Sequence, residues 1–135
     1  MPFWKCYYHI IWATKHREPI IVPAYEQVIF AAIEQTTLEL KCNILAVNCV
    51  EDHIHVAASI KPSISVAKYV GRIKGSASRA VNTSFEQETR FHWQEGYSVL
   101  SFGEKALPFV QGYIAKQKQH HAGNDVNYYL ERIED

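Results

Sequence analysis

Residues 50–60 read Val-Glu-Asp-His-Ile-His-Val-Ala-Ala-Ser-Ile, placing His53 and His55 one residue apart inside an apolar run. Strand side chains alternate faces, so both imidazoles project from one side of a sheet, close enough to share one ion. A second segment, residues 112–121 (Gly-Tyr-Ile-Ala-Lys-Gln-Lys-Gln-His-His), reads as a helix carrying Tyr113 and Gln117. Residues four apart on a helix are surface neighbours, so a phenol and a carboxamide would face the same partner. Two imidazoles and one amide oxygen leave coordination positions open on a divalent ion, where a scissile phosphate can bind. A tyrosine beside that phosphate suits covalent capture as phosphotyrosine, which keeps the bond energy for a later rejoining. Its phenol has an ordinary pKa of about 10, so a metal or nearby cation must favour the phenolate.

Spacing alone leaves other uses open. An isolated His-x-His is often incidental, and Tyr113 is one of eight tyrosines, while a tyrosine on an amphipathic helix is most often a core-edge residue with a satisfied hydroxyl. His120 and His121, one turn further along, have three readings: alternative ligand, phosphate contact or surface. Trp93 and Tyr97 suit base stacking or core packing. Two non-nuclease readings therefore stand beside the first. One is a non-catalytic single-stranded nucleic-acid-binding module; the other is a zinc site built from His53, His55 and His120 or His121, with Tyr113 dispensable.

The elements that must position these groups follow from periodicity. Residues 4–14 are aromatic and β-branched and predict a strand buried on both faces. Pro19 and Pro23 mark a loop, and residues 24–41 carry apolar positions at helical spacing. Residues 43–50 and 53–60 predict a hairpin turning at Glu51-Asp52, with both histidines at its turn end. A second helix opens near Ile64, with Val66, Val70, Ile73, Ala77 and Val81 as its core stripe and Lys68, Arg72 and Arg79 on its outer side. Gly71 and Gly75 weaken that helix by roughly 1 kcal/mol each relative to alanine, which suggests close approach of a backbone or ligand. Residues 91–102 predict a fourth strand, and a last helix starts near Leu107, with Pro108 tolerated in its first turn. The order βαββαβ is α+β and ferredoxin-like, or RRM-like: a four-stranded antiparallel sheet with two helices on one face and an additional C-terminal helix carrying the tyrosine. Ile54, Val56, Ala58 and Ile60 would pack on those helices, leaving His53, His55, Ala57 and Ser59 toward the terminal helix or solvent.

The 135 residues, 47% hydrophobic, suit one domain spanning 1–135. Cys6, Cys42 and Cys49 form neither an even set nor a C-x-x-C pair, which suits buried thiols in a cytoplasmic protein. No 18-residue apolar stretch occurs, so no membrane span is expected. Fourteen basic residues balance fourteen acidic ones, which argues against a strongly cationic coat. The distribution is uneven: Lys61, Lys68, Arg72, Lys74 and Arg79 occur without an acid between 61 and 82, Lys5, Lys15 and Arg17 crowd the start, and Asp125, Glu131, Glu134 and Asp135 make an acidic tail. A polyanion fits the basic part.

The run Glu51-Asp-His-Ile-His-Val, then 64–79, then Trp93-Gln-Glu-Gly-Tyr97, then Tyr113-Ile-Ala-Lys-Gln117 with His120-His121, resembles the single-tyrosine insertion-sequence transposases of the HUH class, the IS200-like family with its palindrome-associated relatives. Trp12-Ala-Thr-Lys-His-Arg17 resembles their opening strand, so the likeness runs in order from about residue 5 to 121. It implies a small homodimeric enzyme that recognises hairpin ends, cuts single-stranded DNA, holds the 5′ end on tyrosine and releases a 3′ hydroxyl. By position it makes Tyr113 the nucleophile and His53, His55 and Gln117 the ligands of magnesium or manganese. Lys68, Arg72, Lys74, Arg79 and Arg17 would contact DNA. A true transposase and a domesticated relative that processes chromosomal palindromes share this pattern.

Overall fold

The computed structural model describes residues 3–123 together with 127, 130, 131 and 133. The acidic residues Asp125, Glu134 and Asp135 lie outside the described residues.

Four strands, β1 (Tyr7–Ala13), β2 (Asn43–Cys49), β3 (His53–Ser59) and β4 (Ser98–Phe102), form one antiparallel sheet in the order β2-β3-β1-β4. Helices α1 (Pro23–Glu39) and α2 (Val66–Ser84) cover one face. This is the ferredoxin-like arrangement expected from the pattern. α1 opens with Pro23 in its first turn, where a missing N–H is harmless. α2 is capped by Ser65, whose hydroxyl accepts from the Lys68 N–H at 3.0 Å. The core lies between that sheet face and the two helices: Ile10, Trp12, Ile54, Val56 and Ala58 from the strands meet Ile29, Ile33, Tyr69, Val70, Ile73, Ala77 and Val81. β3 is buried along its whole length, and its alternation sends the opposite set, His53, His55, Ala57 and Ser59, to the other face.

That second face is covered by α3 (Leu107–Ala115), whose Val110 and Ile114 pack on Ala57, Leu45, Ala46 and Phe102. A β-bulge makes this fit. The register of β2 against β3 skips Leu45, so Ile44, Val47 and Cys49 face the core while Asn48 faces α3. Asn48 Nδ2 donates to the carbonyls of Ile114 and Ala115 at 3.1 and 3.2 Å, satisfying groups left open at the end of a helix. Gln111 Nε2 donates to the Leu45 carbonyl at 3.1 Å, fixing the same helix from its middle.

Three expectations change. The strand expected over 91–102 is regular only from Ser98. Before it, the Ala13 N–H is bonded by the Gln94 side-chain oxygen rather than by a main-chain carbonyl, and only Trp93 bridges to Thr14. The ammonium of Lys74 collects the carbonyls of Gln94, Glu95 and Gly96 that a strand would have paired, at 2.7, 3.2 and 3.0 Å. The single terminal helix is two: Lys116, at φ −102° and ψ 20°, separates α3 from α4 (Gln117–Ala122). No other backbone approaches Gly71 or Gly75 among the described residues, since a Cβ at either meets no protein atom within 4 Å.

Candidate active site

His53 and His55 project together from β3, as the alternation requires, and their ring centroids lie 5.2 Å apart. Each Nδ1 is taken by an outer partner. His53 Nδ1 donates to Asp52 Oδ1 at 2.7 Å, and His55 Nδ1 shares a 2.8 Å hydrogen bond with Nε2 of His9, a buried residue on β1. Both Nε2 atoms therefore turn inward. They converge on Oε1 of Glu131, at 3.0 Å from His53 and 2.9 Å from His55. His121, on α4, reaches the same oxygen through its Nε2 at 3.3 Å. One ligand atom from each of these four residues lies within 4.8 Å of the others.

α3 brings Tyr113 to this point in the same chain, 6.2 Å from His55 between ring centroids. Its hydroxyl donates to Glu131 Oε2 and accepts from the Asn127 backbone N–H at 2.9 Å. Gln117, buried at the start of α4, donates through Nε2 to Glu131 Oε2 at 3.1 Å. The pair thus meets one partner as its spacing demanded, despite the helix break. His120 stacks on the Tyr113 ring at 4.4 Å and 19° while His121 faces the ligand group, so the two histidines separate into different surroundings.

The electrostatics follow from burial against pairing. Burial works against the Glu131 carboxylate charge, but hydrogen bonds from His53 and His55 hold its pKa well below the carboxylate range. Burial alone would lower His53, yet hydrogen bonds to Asp52 and Glu131 carry it above the ordinary imidazole value. His55 is more deeply buried and stays below that value. Tyr113 is pushed up to about 12, first by burial and then by the Glu131 anion on its hydroxyl.

The donor set fits a divalent ion. Three imidazole nitrogens and a carboxylate oxygen face one point, and Gln117 Oε1 is buried with no hydrogen-bond partner among the described residues, an oxygen an ion could satisfy. A cleft of about 530 Å³ leads to His53 and His121 and carries Arg17 and Lys118 on its rim. Arg17 lies 3.5 Å from Asp52, which in turn holds His53.

The other basic residues stand elsewhere. Lys68, Arg72 and Arg79 belong to α2, on the sheet face opposite the histidines, and Lys74 is engaged by its three carbonyls. Trp93, partly buried, packs edge-on against Trp12 and Phe91 at the margin of the core, and its indole N–H donates to the Lys74 carbonyl.

Sequence reasoning misses Glu131 and His9. Composition places Glu131 in an acidic tail, whereas His9 carries one hint, a polar residue inside a strand buried on both faces.

The sequence matches the family model described as "Transposase IS200 like" over residues 2–117. It is 29% identical over 119 residues to the transposases for insertion sequence element IS200 of Salmonella typhimurium and Salmonella typhi, a match covering 84% of this chain and 78% of each relative. The fold superposes on the crystal structure of a candidate transposase from Deinococcus radiodurans with a TM-score of 0.69, at 24% identity and covering 86% of this chain and 93% of that one. It also superposes, with a TM-score of 0.67 at 14% identity, on a REP-associated tyrosine transposase bound to a REP hairpin, covering 90% of this chain and 72% of the other.

Proposed function

This chain belongs to the family of IS200-like transposases, and we propose that it cuts and rejoins single-stranded DNA through a 5′-phosphotyrosine on Tyr113. The observation that carries the reading is that Tyr113, Gln117 and the two β3 histidines meet on one carboxylate within a single chain. A carboxylate and a phosphate oxygen make the same kinds of contact, so these groups can also hold a scissile phosphodiester.

In this reading His53, His55 and Gln117 hold magnesium or manganese, with the imidazole-rich set better suited to manganese. The ion would draw charge from the non-bridging phosphate oxygens. The Tyr113 oxygen attacks phosphorus and loses its proton, the bond to the 3′ oxygen breaks, and that oxygen leaves as a 3′ hydroxyl after taking up a proton. Reversal of the step, with a different 3′ hydroxyl, rejoins the strand. Asp52 and Arg17 keep the His53 ring oriented. Hairpin ends are the proposed DNA feature, supported by the hairpin bound to one structural relative. Lys68, Arg72 and Arg79 form the proposed phosphate-contacting side, with Arg17 beside the cleft, and Lys74 is reassigned to holding the 94–96 segment. We further propose one endonuclease domain over residues 1–135, a homodimer, and action in the cytoplasm. No described helix is long and apolar enough to cross a membrane.

The test is incubation with a labelled hairpin-containing single strand and manganese, followed by denaturing electrophoresis. Wild type is expected to give a denaturation-resistant protein–DNA band that chelation abolishes. Tyr113→Phe should lose the band while keeping most of the binding. A band that persists in Tyr113→Phe removes the nucleophile assignment. Binding that survives chelation with no band from wild type favours a non-catalytic module.

A further inference from the structure

We propose that His9 is a positioning residue for the metal site: it fixes the ring and the tautomer of His55 so that His55 Nε2 is the ligating atom. The inference rests on the metal-binding reading above and adds a residue to it.

His9 is 1% exposed, in the middle of β1. The register sets it opposite Ala57, so it stands diagonally across from His55 on the same sheet face, within reach of a long side chain. The two rings are stacked at 5.1 Å with 26° between planes, and the hydrogen bond joins His9 Nε2 to His55 Nδ1. His9 Nε2 thus points at the back of the ligand ring rather than at the point where the other imidazoles converge. It is not itself placed as a ligand. Its own Nδ1 has no partner among the described residues.

A buried imidazole is a costly choice for a strand interior on stability grounds, where an apolar side chain would do better. The hydrogen bond to His55 is what it offers in return. An imidazole that ligates through Nε2 must carry its proton on Nδ1, and the partner at Nδ1 decides which tautomer forms. With an ion in place of the proton that His55 Nε2 donates to Glu131 in this structure, the remaining His55 proton would sit on Nδ1, and the His9 Nε2 lone pair would accept it. Asp52 provides the same service to His53 through a carboxylate. The two β3 ligands are therefore each held from behind, one by a carboxylate and one by an imidazole.

The experiment has two parts, both on the full chain without DNA. Manganese affinity is measured by calorimetry for wild type, His9→Phe, His9→Gln and His55→Ala. The expectation is a loss of about 10- to 100-fold for His9→Phe, as for other outer partners of metal-bound histidines. His9→Gln, which can still accept, should fall between it and wild type, and His55→Ala should lose most binding. In parallel, ¹⁵N spectra of histidine-labelled wild type loaded with magnesium should show His55 protonated at Nδ1 and bare at Nε2. Wild-type affinity in a folded His9→Phe, while His55→Ala loses binding, overturns the role of His9 alone. If wild type itself takes up no manganese, the metal reading falls and this inference with it. Should His9→Phe not fold, the ring spectrum decides: a His55 proton on Nε2 in the loaded protein overturns the proposal.

Discussion

The Tyr113 hydroxyl donates a 2.5 Å hydrogen bond to Oε2 of Glu131, eighteen residues further along the chain, while the other oxygen of that carboxylate accepts from His53 and His55. One anion therefore links the group expected to attack and the groups expected to hold the ion. It also makes the attack harder, because a phenolate forming beside a carboxylate is disfavoured.

Replacing Glu131 with glutamine should lower the Tyr113 pKa from about 12 toward that of an ordinary tyrosine. Burial remains in the variant, so the value should stop short of full reversion. Ring ¹³C shifts of labelled tyrosine against pH measure it. No change at all would assign the whole elevation to burial.

Asp52 stands behind His53 as His9 stands behind His55, and Asp52→Asn keeps the shape while removing the charge. Manganese binding is expected to weaken by about 10- to 100-fold, with the yield of the covalent DNA band falling at limiting metal. Calorimetry and the denaturing gel read the two effects separately. Unchanged affinity would leave Asp52 as no more than a turn residue.

The basic residues should divide into two kinds. Removing Lys68, Arg72 or Arg79 is expected to weaken DNA binding and to reduce the slope of log affinity against log salt by about 1 for each phosphate no longer neutralised. Lys74→Met should instead lower thermal stability, because three carbonyls are left without their donor, and leave the salt slope unchanged. A salt slope that drops in Lys74→Met would return it to the DNA-contacting set.

Cys49 and Tyr69 predict how stability depends on alkali. Burial pushes each up to about 12, from ordinary values of 9.0 and 10.0. Below 9 both are protonated whether the chain is folded or not, and their contribution is complete. Between about 9 and 12 the unfolded chain gives up protons that the folded chain keeps, so stability falls as pH rises, by up to about 1.4 kcal/mol per pH unit for each group. Urea midpoints from pH 8 to 11 should show the decline, and Cys49→Ala should flatten its first part. At pH 8 Cys49 should resist alkylation, which the partly exposed Cys6 should not.

The sequence carries what local periodicity encodes. The alternation in β3 assigns Ile54, Val56 and Ala58 to the core and the two histidines to the opposite face, and the 3.6-residue stripe of α2 names the buried Val70, Ile73, Ala77 and Val81 but passes over Tyr69. Tyr113 and Gln117 are legible as a pair because four residues make one turn, and even a break at Lys116 leaves them on one partner. What escapes is set by pairing across the chain. His9 meets His55 only through the register of β1 on β3, 46 residues apart, and Glu131 reaches His53 across 78. The short β4 is hidden for a different reason: Gln94 presents a side-chain carbonyl where strand pairing would use a main-chain one, and composition does not distinguish the two.

The sheet stands as a wall between the arginine-bearing side of α2 and the tyrosine. An oligonucleotide a few bases long can therefore satisfy one side or the other, whereas a longer one must bend around a rim to reach both. Substrate length should thus separate grip from scission, with short strands cut in solution yet weakly retained and longer ones held by contacts remote from the cut.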